Sequence, residues 1–562
     1  MFDLKGEFSA ADLAAALKKA PAEGRAEIVC GILKTAFRLY GREPQKTRLE
    51  SLQVSRLLHT LGSAVLALGS RGATDEPAGA SSSIKTLTSD RRAGTPAAKT
   101  AFPPRKKNAL IAKSVDADEG TTLIDSVYAA LSASERRWLH SLGLPDSAST
   151  ARASSLDWAR AAQNTAFDTI GRTIVLTQTG RASHPRNALR TDEIIWGRAP
   201  ARLDLGGGWS DTPPYSLEHG GCVINAAVDL NGQPPIQVFA RVIDEPEIRI
   251  NSIDHGSRLI IRSLDELLDY RQATSQFGLA KAALALSGFA PGTAPWPPRA
   301  RRSLTVMLEL FGGGIELDTL AAIPSGSGLG TSSIMGAVLV AVIHRMIGDR
   351  LSERELFHAV LKLEQELTTG GGWQDQIGGV MPGVKVITTG PGLMPDPWIH
   401  YVLPDLLDPK TNGGATLLYY TGIRRLAKNI LRFVVGHYLD RDAAALATLR
   451  DLHAYPIEMR EAMAAKDRLA FGRLIDVAWK LNKRIDPDST TPAIEAILKR
   501  IKPRILGAKL LGAGGGGFLL VVAKSPRDAR AVRRALEASP PNPRARFFDY
   551  EISAQGLTVT VC

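Results

Sequence analysis

Apolar residues recur at helical spacing through the first third of the chain, and the texture changes after it. Ala11–Lys19, Glu27–Tyr40 and Ser51–Leu68 carry Leu, Ile, Val and Ala at three- and four-residue intervals, which predicts amphipathic helices within residues 8–69. Between about 70 and 118 the periodicity gives way to Gly, Ser, Thr, Pro and Arg, the composition of a linker. Helical spacing resumes in Thr122–Leu142 and Ser155–Ile170. From Ile194 onward, short runs rich in β-branched residues (Cys222–Val228, Ile236–Val242, Glu247–Ile250) alternate with helical ones. A second break at 404–413 precedes the apolar run Ala415–Tyr420. No internal repeat is visible. Strand clusters interspersed with helices predict an α+β layout rather than a regular βαβ repeat. The expected organisation is a helical region over 1–70, a basic flexible linker over 71–118, a helical spacer over 119–190, and two further units at 191–410 and 411–562.

With 562 residues, 44% hydrophobic and 22% charged, the chain reads as a multidomain globular protein. No apolar run reaches the ~18–20 residues that span a bilayer, and the N-terminus lacks the apolar core of a secretory signal. Cys30, Cys222 and Cys562 are too few and too far apart to suggest a disulfide framework or a zinc site. A reducing cytoplasm is the expected compartment. Of the net charge of +12, +9 falls in residues 1–190. Arg91, Arg92, Lys99, Arg105, Lys106 and Lys107 form a run without an acidic residue. A solvated linker explains that run better than contact with RNA or an acidic partner.

The most informative stretch is residues 322–333, Ala-Ile-Pro-Ser-Gly-Ser-Gly-Leu-Gly-Thr-Ser-Ser, followed by the apolar run Ile334–Ile347. A glycine loop feeding a helix N-terminus suits phosphate, because bare backbone N–H groups and the helix dipole converge there. Thr331, Ser332 and Ser333 add hydroxyls for capping, a phosphate oxygen or Mg²⁺. The P-loop pattern is absent, since no lysine lies in 322–333. Gly512, Gly514 and Gly517 have dinucleotide-fold spacing, but an apolar strand follows them where a helix is required. An ordinary helix cap with glycines for packing remains the alternative at this point.

Three further segments bear on the loop. Residues 197–215 place Arg198, Arg202, a glycine turn and Asp211 in a short span; residues 364–376 end a helix at Gly370–Gly372 with Asp375 just beyond; residues 509–518 form a glycine hairpin entering a strand. Phosphoryl transfer rests on positioning and charge neutralisation. It needs a carboxylate to accept the proton of an attacking hydroxyl, an arginine to favour the ionised form, and a second carboxylate for Mg²⁺.

Together these segments resemble the galactokinase, homoserine kinase, mevalonate kinase and phosphomevalonate kinase superfamily, and within it the L-fucokinases, over roughly residues 194–562. The carriers are Pro324–Ser333, with Thr331 in place of the usual first serine, Ala199–Gly207, Leu511–Phe518, Asp211–Gly221 and Leu230–Val238. The resemblance implies a two-lobed α+β kinase fold preceded by the helical region, with ATP and Mg²⁺ as cofactors and a sugar as the small-molecule partner. Pro324, Gly326, Ser327, Gly328, Leu329, Gly330, Thr331, Ser332 and Ser333 would hold ATP phosphates. Asp375 would be the catalytic carboxylate and Arg202 its orienting partner, a role Arg198 could exchange with it. Ser332 would ligate Mg²⁺ with Glu364, with Glu366 as the fallback. Asp211, Trp209, Gly372, Gly514 and Gly515 would face the sugar.

Where galactokinases carry Gly-Glu-His-Thr-Asp, this chain has Gly207-Gly-Trp-Ser-Asp. Loss of that glutamate beside the apolar Trp209 predicts a preference for a 6-deoxy sugar, because a buried carboxylate without its hydroxyl partner is penalised. Trp209 and Trp373 could equally be core aromatics, and His219 reads as structural. The expected activity is phosphorylation of the anomeric hydroxyl of L-fucose. A kinase for a phosphorylated heptose and a non-catalytic sugar or nucleotide sensor are the alternatives. Some L-fucokinases are fused to a guanylyltransferase; residues 1–190 lack its Gly-rich, Arg- and Lys-containing signature, so that second activity is not expected of this chain.

Overall fold

The computed structural model of the protein describes residues 9–38, 48–69, 117–145, 155–175, 183–272, 275–324, 326–367, 371–392, 395–423 and 428–562. The basic run at 91–107 lies outside them.

The predicted N-terminal helices form as Ala10–Lys19, Ala22–Ala36 and Arg48–Gly69. The run expected over 122–142 divides into Ala117–Ala130 and Ala133–Ser141, because Ser132 starts a new helix: its side chain accepts from the Glu135 amide while Glu135 bonds back to the Ser132 amide. Helix Ser155–Val175 completes the set. These helices pack as one module. Leu13, Leu33, Leu58 and Leu61 from the first group and Val127, Leu139, Trp158 and Ala162 from the second share a single apolar core, so the helical region and the helical spacer form one body.

The rest is α+β. Its strands are β1 (Ile195–Ala199), β2 (Ala201–Gly206), β3 (Gly221–Leu230), β4 (Ile236–Ile243), β5 (Ile248–Ser252), β6 (Ser257–Ile261), β7 (Gly314–Ala321), β8 (Val384–Thr389), β9 (Pro397–Val402), β10 (Thr416–Tyr420), β11 (Ile505–Leu510), β12 (Phe518–Ala523), β13 (Arg546–Phe548), β14 (Tyr550–Ile552) and β15 (Thr558–Val561). They build three sheets, in the orders β15-β1-β4-β7-β5-β6, β14-β3-β8-β9 with β2 on β3, and β11-β12-β10-β13. All pairings are antiparallel except β5 with β7. The chain's last strands return to the first half: β14 pairs with β3 and β15 with β1. The second unit is therefore closed over the first rather than following it as a separate bead.

Helix Thr331–Met346 packs on β1 and β4 and is buried along most of its length, which explains a run that is apolar nearly all round. Helix Glu353–Glu366 lies against it, started by a Ser352–Glu355 capping box. Helix Arg468–Ile485 packs on β11 and reaches β2. The glycine loop meets the hairpin before β12, with the Phe518 amide donating to the Ser327 carbonyl at 3.1 Å, and meets the Asp375 segment through Arg202 on β2.

Leu58 is fully buried in the shared helical core. Leu58→Ala should cost about 2–5 kcal/mol. Because the two helix groups share that core, hydrogen exchange should quicken in residues 10–69 and 117–175 together; acceleration of the first group alone would mean two separate bodies.

Candidate active site

Arg202 sits on β2 and is almost entirely buried. Its Nε donates to Asp375 Oδ1 at 2.5 Å and its Nη1 to the Gly328 carbonyl at 2.9 Å, so one side chain ties the candidate catalytic carboxylate to the glycine loop. The Arg202 amide also donates to the Leu329 carbonyl at 3.2 Å. Asp375 begins the short helix Asp375–Gly378. Gly330, at φ +74°, starts helix Thr331–Met346, and a Cβ added there would lie 3.1 Å from the Asp375 carboxyl carbon. The loop backbone and the carboxylate are in direct contact, which only a glycine permits.

A cleft of about 360 Å³ opens beside this pair. Arg202, Trp209, Asp211, Gly328, Gly330, Ser332, Ser333, Glu364, Gly372 and Asp375 all line it. Asp204, Gly208, Gln374, Gly512 and Ala513 join them from the segments singled out in the sequence, and Asn482 from helix Arg468–Ile485 outside those segments. Asp211 accepts from the Gln374 amide and from the Trp209 amide, both at 3.0 Å. Gly372 leaves room for it: a Cβ there would come within 2.0 Å of Asp211 Oδ2. Trp209 holds φ +82° at the turn, and Ser210 anchors that turn by donating to the Gly207 carbonyl at 2.7 Å.

Other predicted positions lie elsewhere. Arg198 stacks over Trp196 at 4.2 Å and donates to Thr558 Oγ1 at 3.1 Å on the outer sheet, so Arg202 alone meets Asp375. Glu366 pairs with Arg271 and does not line the cleft, which removes it as the fallback metal ligand. Gly514 and Gly515 turn onto Ser489, and Gly512 and Ala513 reach the cleft in their place. Trp373 is a core aromatic packed with Val223, Phe357 and Ile377. His219 stacks on Tyr215 at 4.8 Å. Ser325, within the glycine loop, lies outside the described residues.

The electrostatics follow a count of charges. Burial disfavours the Arg202 cation, but Asp375, Asp204 and Asp211 outweigh it and raise its pKa. Lys509, fully buried on β11, donates to Asp204 Oδ2 at 3.0 Å; burial lowers its pKa, and Asp204 opposes the shift. Two cations therefore face three carboxylates. Asp211 has no cation bonded to it, and burial, with Asp375 and Asp204 adding to it, pushes its carboxyl up to about 7. Lys385, buried on β8, donates to the carbonyls of Gly378, Met381 and Gly383 at 3.0, 2.9 and 3.3 Å, capping the end of the Asp375 helix; burial pulls it down to about 7. A lone lysine within an apolar strand was its only sequence signal. Asp204 and Lys509 stand in the segments singled out above, but their partnership spans 305 positions.

The cleft suits a Mg²⁺-nucleotide. Ser327 Oγ and Thr331 Oγ1 are buried without a protein partner at the phosphate loop. Ser332 and Glu364 line the same wall. Among the described residues no group of three or more His, Cys, Asp or Glu side chains could hold a metal.

Residues 299–383 match the family described as GHMP kinases N terminal domain, and residues 459–542 match GHMP kinases C terminal. These two stretches carry the N- and C-terminal domains of the GHMP kinases. It is 43% identical over 401 residues to the L-fucokinase/L-fucose-1-P guanylyltransferase of Bacteroides fragilis, an alignment covering 71% of this chain and 42% of that protein. It is 33% identical over 373 residues to the bifunctional fucokinase/GDP-fucose pyrophosphorylase of Arabidopsis thaliana, covering 65% of this chain and 33% of that protein. The D-glycero-alpha-D-manno-heptose 7-phosphate kinase of Campylobacter jejuni is 28% identical over 214 residues, covering 36% of this chain and 60% of that one. The chain thus spans less than half the length of either fucokinase relative. Among the described residues no helix is long and apolar enough to cross a membrane.

The raised Asp211 carboxyl carries a stability consequence. A group whose folded pKa lies above its unfolded value contributes stability at low pH that is lost as pH rises, here between about 4 and about 7. The Tm difference between Asp211→Asn and the unaltered protein should therefore shift in favour of the variant as pH rises from 5 to 7.5. A difference independent of pH would place the Asp211 pKa near that of an ordinary aspartate.

Proposed function

We propose that this chain is an ATP- and Mg²⁺-dependent kinase that phosphorylates the anomeric hydroxyl of L-fucose to give L-fucose 1-phosphate. The observation that carries the reading is the Arg202–Asp375 pair, held against the glycine loop in a sugar-sized cleft that Asp211 also lines. Asp375 accepts the proton of the anomeric hydroxyl, and Arg202 Nε holds one oxygen of that carboxylate in place. The loop amides, the start of helix Thr331–Met346 and the hydroxyls of Thr331, Ser332 and Ser333 cradle the nucleotide phosphates. Ser332 and Glu364 would hold Mg²⁺, which supplies neutralisation of phosphate charge when bound. Asp211 orients sugar hydroxyls.

Two features favour a 6-deoxy sugar. A side chain at Gly208 would begin 3.1 Å from Gln374 Nε2 and 3.3 Å from Asp204 Oδ2, so a glutamate there would have to push those side chains aside and would bring its charge up to Asp204. The half-buried Trp209 offers an apolar face at the same turn. The names of the two fucokinase relatives agree with this choice. A heptose phosphate is less well served: among the described lining residues Arg202 is the one cation, and Asp375 and the loop already engage it. A sensor without activity does not need the complete set Arg202, Asp375, Ser332 and Glu364.

ADP release from Mg-ATP, measured in parallel with L-fucose, D-galactose, D-arabinose and a heptose 7-phosphate, tests the reading. L-Fucose should give turnover, and Asp375→Asn should lower kcat by about 10²–10⁴. Turnover with the heptose phosphate alone would replace the substrate; ATP binding without turnover on any sugar would favour the sensor. Trp209→Ala should narrow the preference for L-fucose over D-galactose, and an unchanged preference would mean that Trp209 does not read the sugar's methyl group.

A further inference from the structure

The helical module grips the kinase portion at one ionic centre that the site chemistry does not use. Glu218 lies on the short helix Tyr215–His219, directly after the turn that carries Trp209 and Asp211. Its carboxylate takes three donors: Arg56 Nη2 at 2.5 Å, Arg441 Nη2 at 3.1 Å and the Tyr438 hydroxyl. Arg56 comes from helix Arg48–Gly69 of the module, whereas Tyr438 belongs to helix Lys428–Leu439 and Arg441 lies just past its end. Leu52, Ile170, Leu217, Val435 and Leu439 form an apolar cluster beside this centre. The module also bonds Asp440, with His59 Nδ1 at 2.8 Å and Ser63 Oγ at 2.9 Å.

A helix of five residues does not hold itself in water and takes its position from what it touches. Its position is passed back to the cleft along the backbone. The Gly220 amide donates to the Ser216 carbonyl at 2.9 Å, Ser216 to Thr212 at 3.1 Å and Thr212 to Trp209 at 3.2 Å. That chain of bonds brackets Asp211, so a shift of Glu218 moves the carboxylate that faces the cleft. Helix Ser155–Val175 meanwhile packs on helix Glu353–Glu366, the carrier of Glu364.

We propose that the N-terminal helical module positions the substrate turn 207–214, acting through Arg56 on Glu218. Arg56 is a positioning residue: it touches neither the cleft nor its contents. The proposal rests on the kinase reading for its substrate and on geometry alone for the coupling, and the test separates the two.

The full chain, Arg56→Gln and Arg56→Lys should be compared by steady-state kinetics with L-fucose and Mg-ATP and by hydrogen exchange. Arg56→Gln should raise KM for L-fucose about tenfold, with kcat and KM for ATP changed less than about twofold, and Arg56→Lys should recover part of the loss. Exchange should quicken across 207–219 but not along Thr331–Met346. Glu218→Gln, which keeps the side-chain shape, should shift both readouts the same way and serves if Arg56→Gln does not fold. A lower Tm with unchanged KM and unchanged exchange over 207–219 would overturn the proposal, leaving the module as added stability. If the unaltered protein does not turn over L-fucose, the kinase reading falls, and exchange over 207–219 still decides the coupling.

Discussion

The buried guanidinium of Arg202 is the constraint from which the rest of the site follows. One planar cation bonds Asp375 and the Gly328 carbonyl from a single position on β2, so that carboxylate and the glycine loop share a reference point. A lysine, with a point charge on a flexible stem, would not fix both. Burying that charge is tolerable because Asp375, Asp204 and Asp211 surround it, and Lys509 balances Asp204 from the far side. The remaining imbalance falls on Asp211, the carboxylate left without a cation of its own.

Such close placement depends on bare backbone. Gly330 touches the Asp375 carboxyl, and Gly372 touches that of Asp211. The glycine hairpin before β12 meets the phosphate loop in the same manner, with the Phe518 amide donating to the Ser327 carbonyl at 3.1 Å. The two halves of the kinase portion are therefore joined at the site itself. The return of β14 and β15 to strands β3 and β1 joins them a second time at the periphery. Among the lining residues Arg202 and Asp204 sit on β2, Ser332, Ser333, Glu364, Asp375 and Asn482 sit on helices, and the glycine turns bring these elements together.

The helical module fits the same logic. Its contacts with the kinase portion include Glu218, Asp440, the apolar cluster around Leu217 and Leu439, and helix Glu353–Glu366. Glu218 and Leu217 lie on the helix that directly follows the turn lining the cleft, and helix Glu353–Glu366 carries Glu364. An element that only added mass would have no reason to place Arg56, a long and entropically costly side chain, against a carboxylate seven positions from Asp211.

Much of this was legible in the residues. Helical periodicity located the N-terminal helices, and Ser132 with Glu135 explains a boundary within 122–142 that apolar spacing missed. The glycine loop before an apolar run, Asp375 after a triple glycine and Arg202 before a glycine turn are local signals, because each depends on backbone chemistry within a dozen residues. Charge pairing across the fold is not local. Nothing near Arg198 or Arg202 says which of them turns inward, since strand pleating and the sheet's neighbours decide it. Glu364 and Glu366 differ by two positions on one helix, and that rotation sends the first to the cleft and the second to Arg271. The sequence by itself determined the fold class and the chemical kinds of group in the cleft. The tertiary structure alone decided which copy of each kind faces inward, that Lys509 answers Asp204, and that Arg56 reaches Glu218, because those choices are made by burial and by contacts between residues hundreds of positions apart.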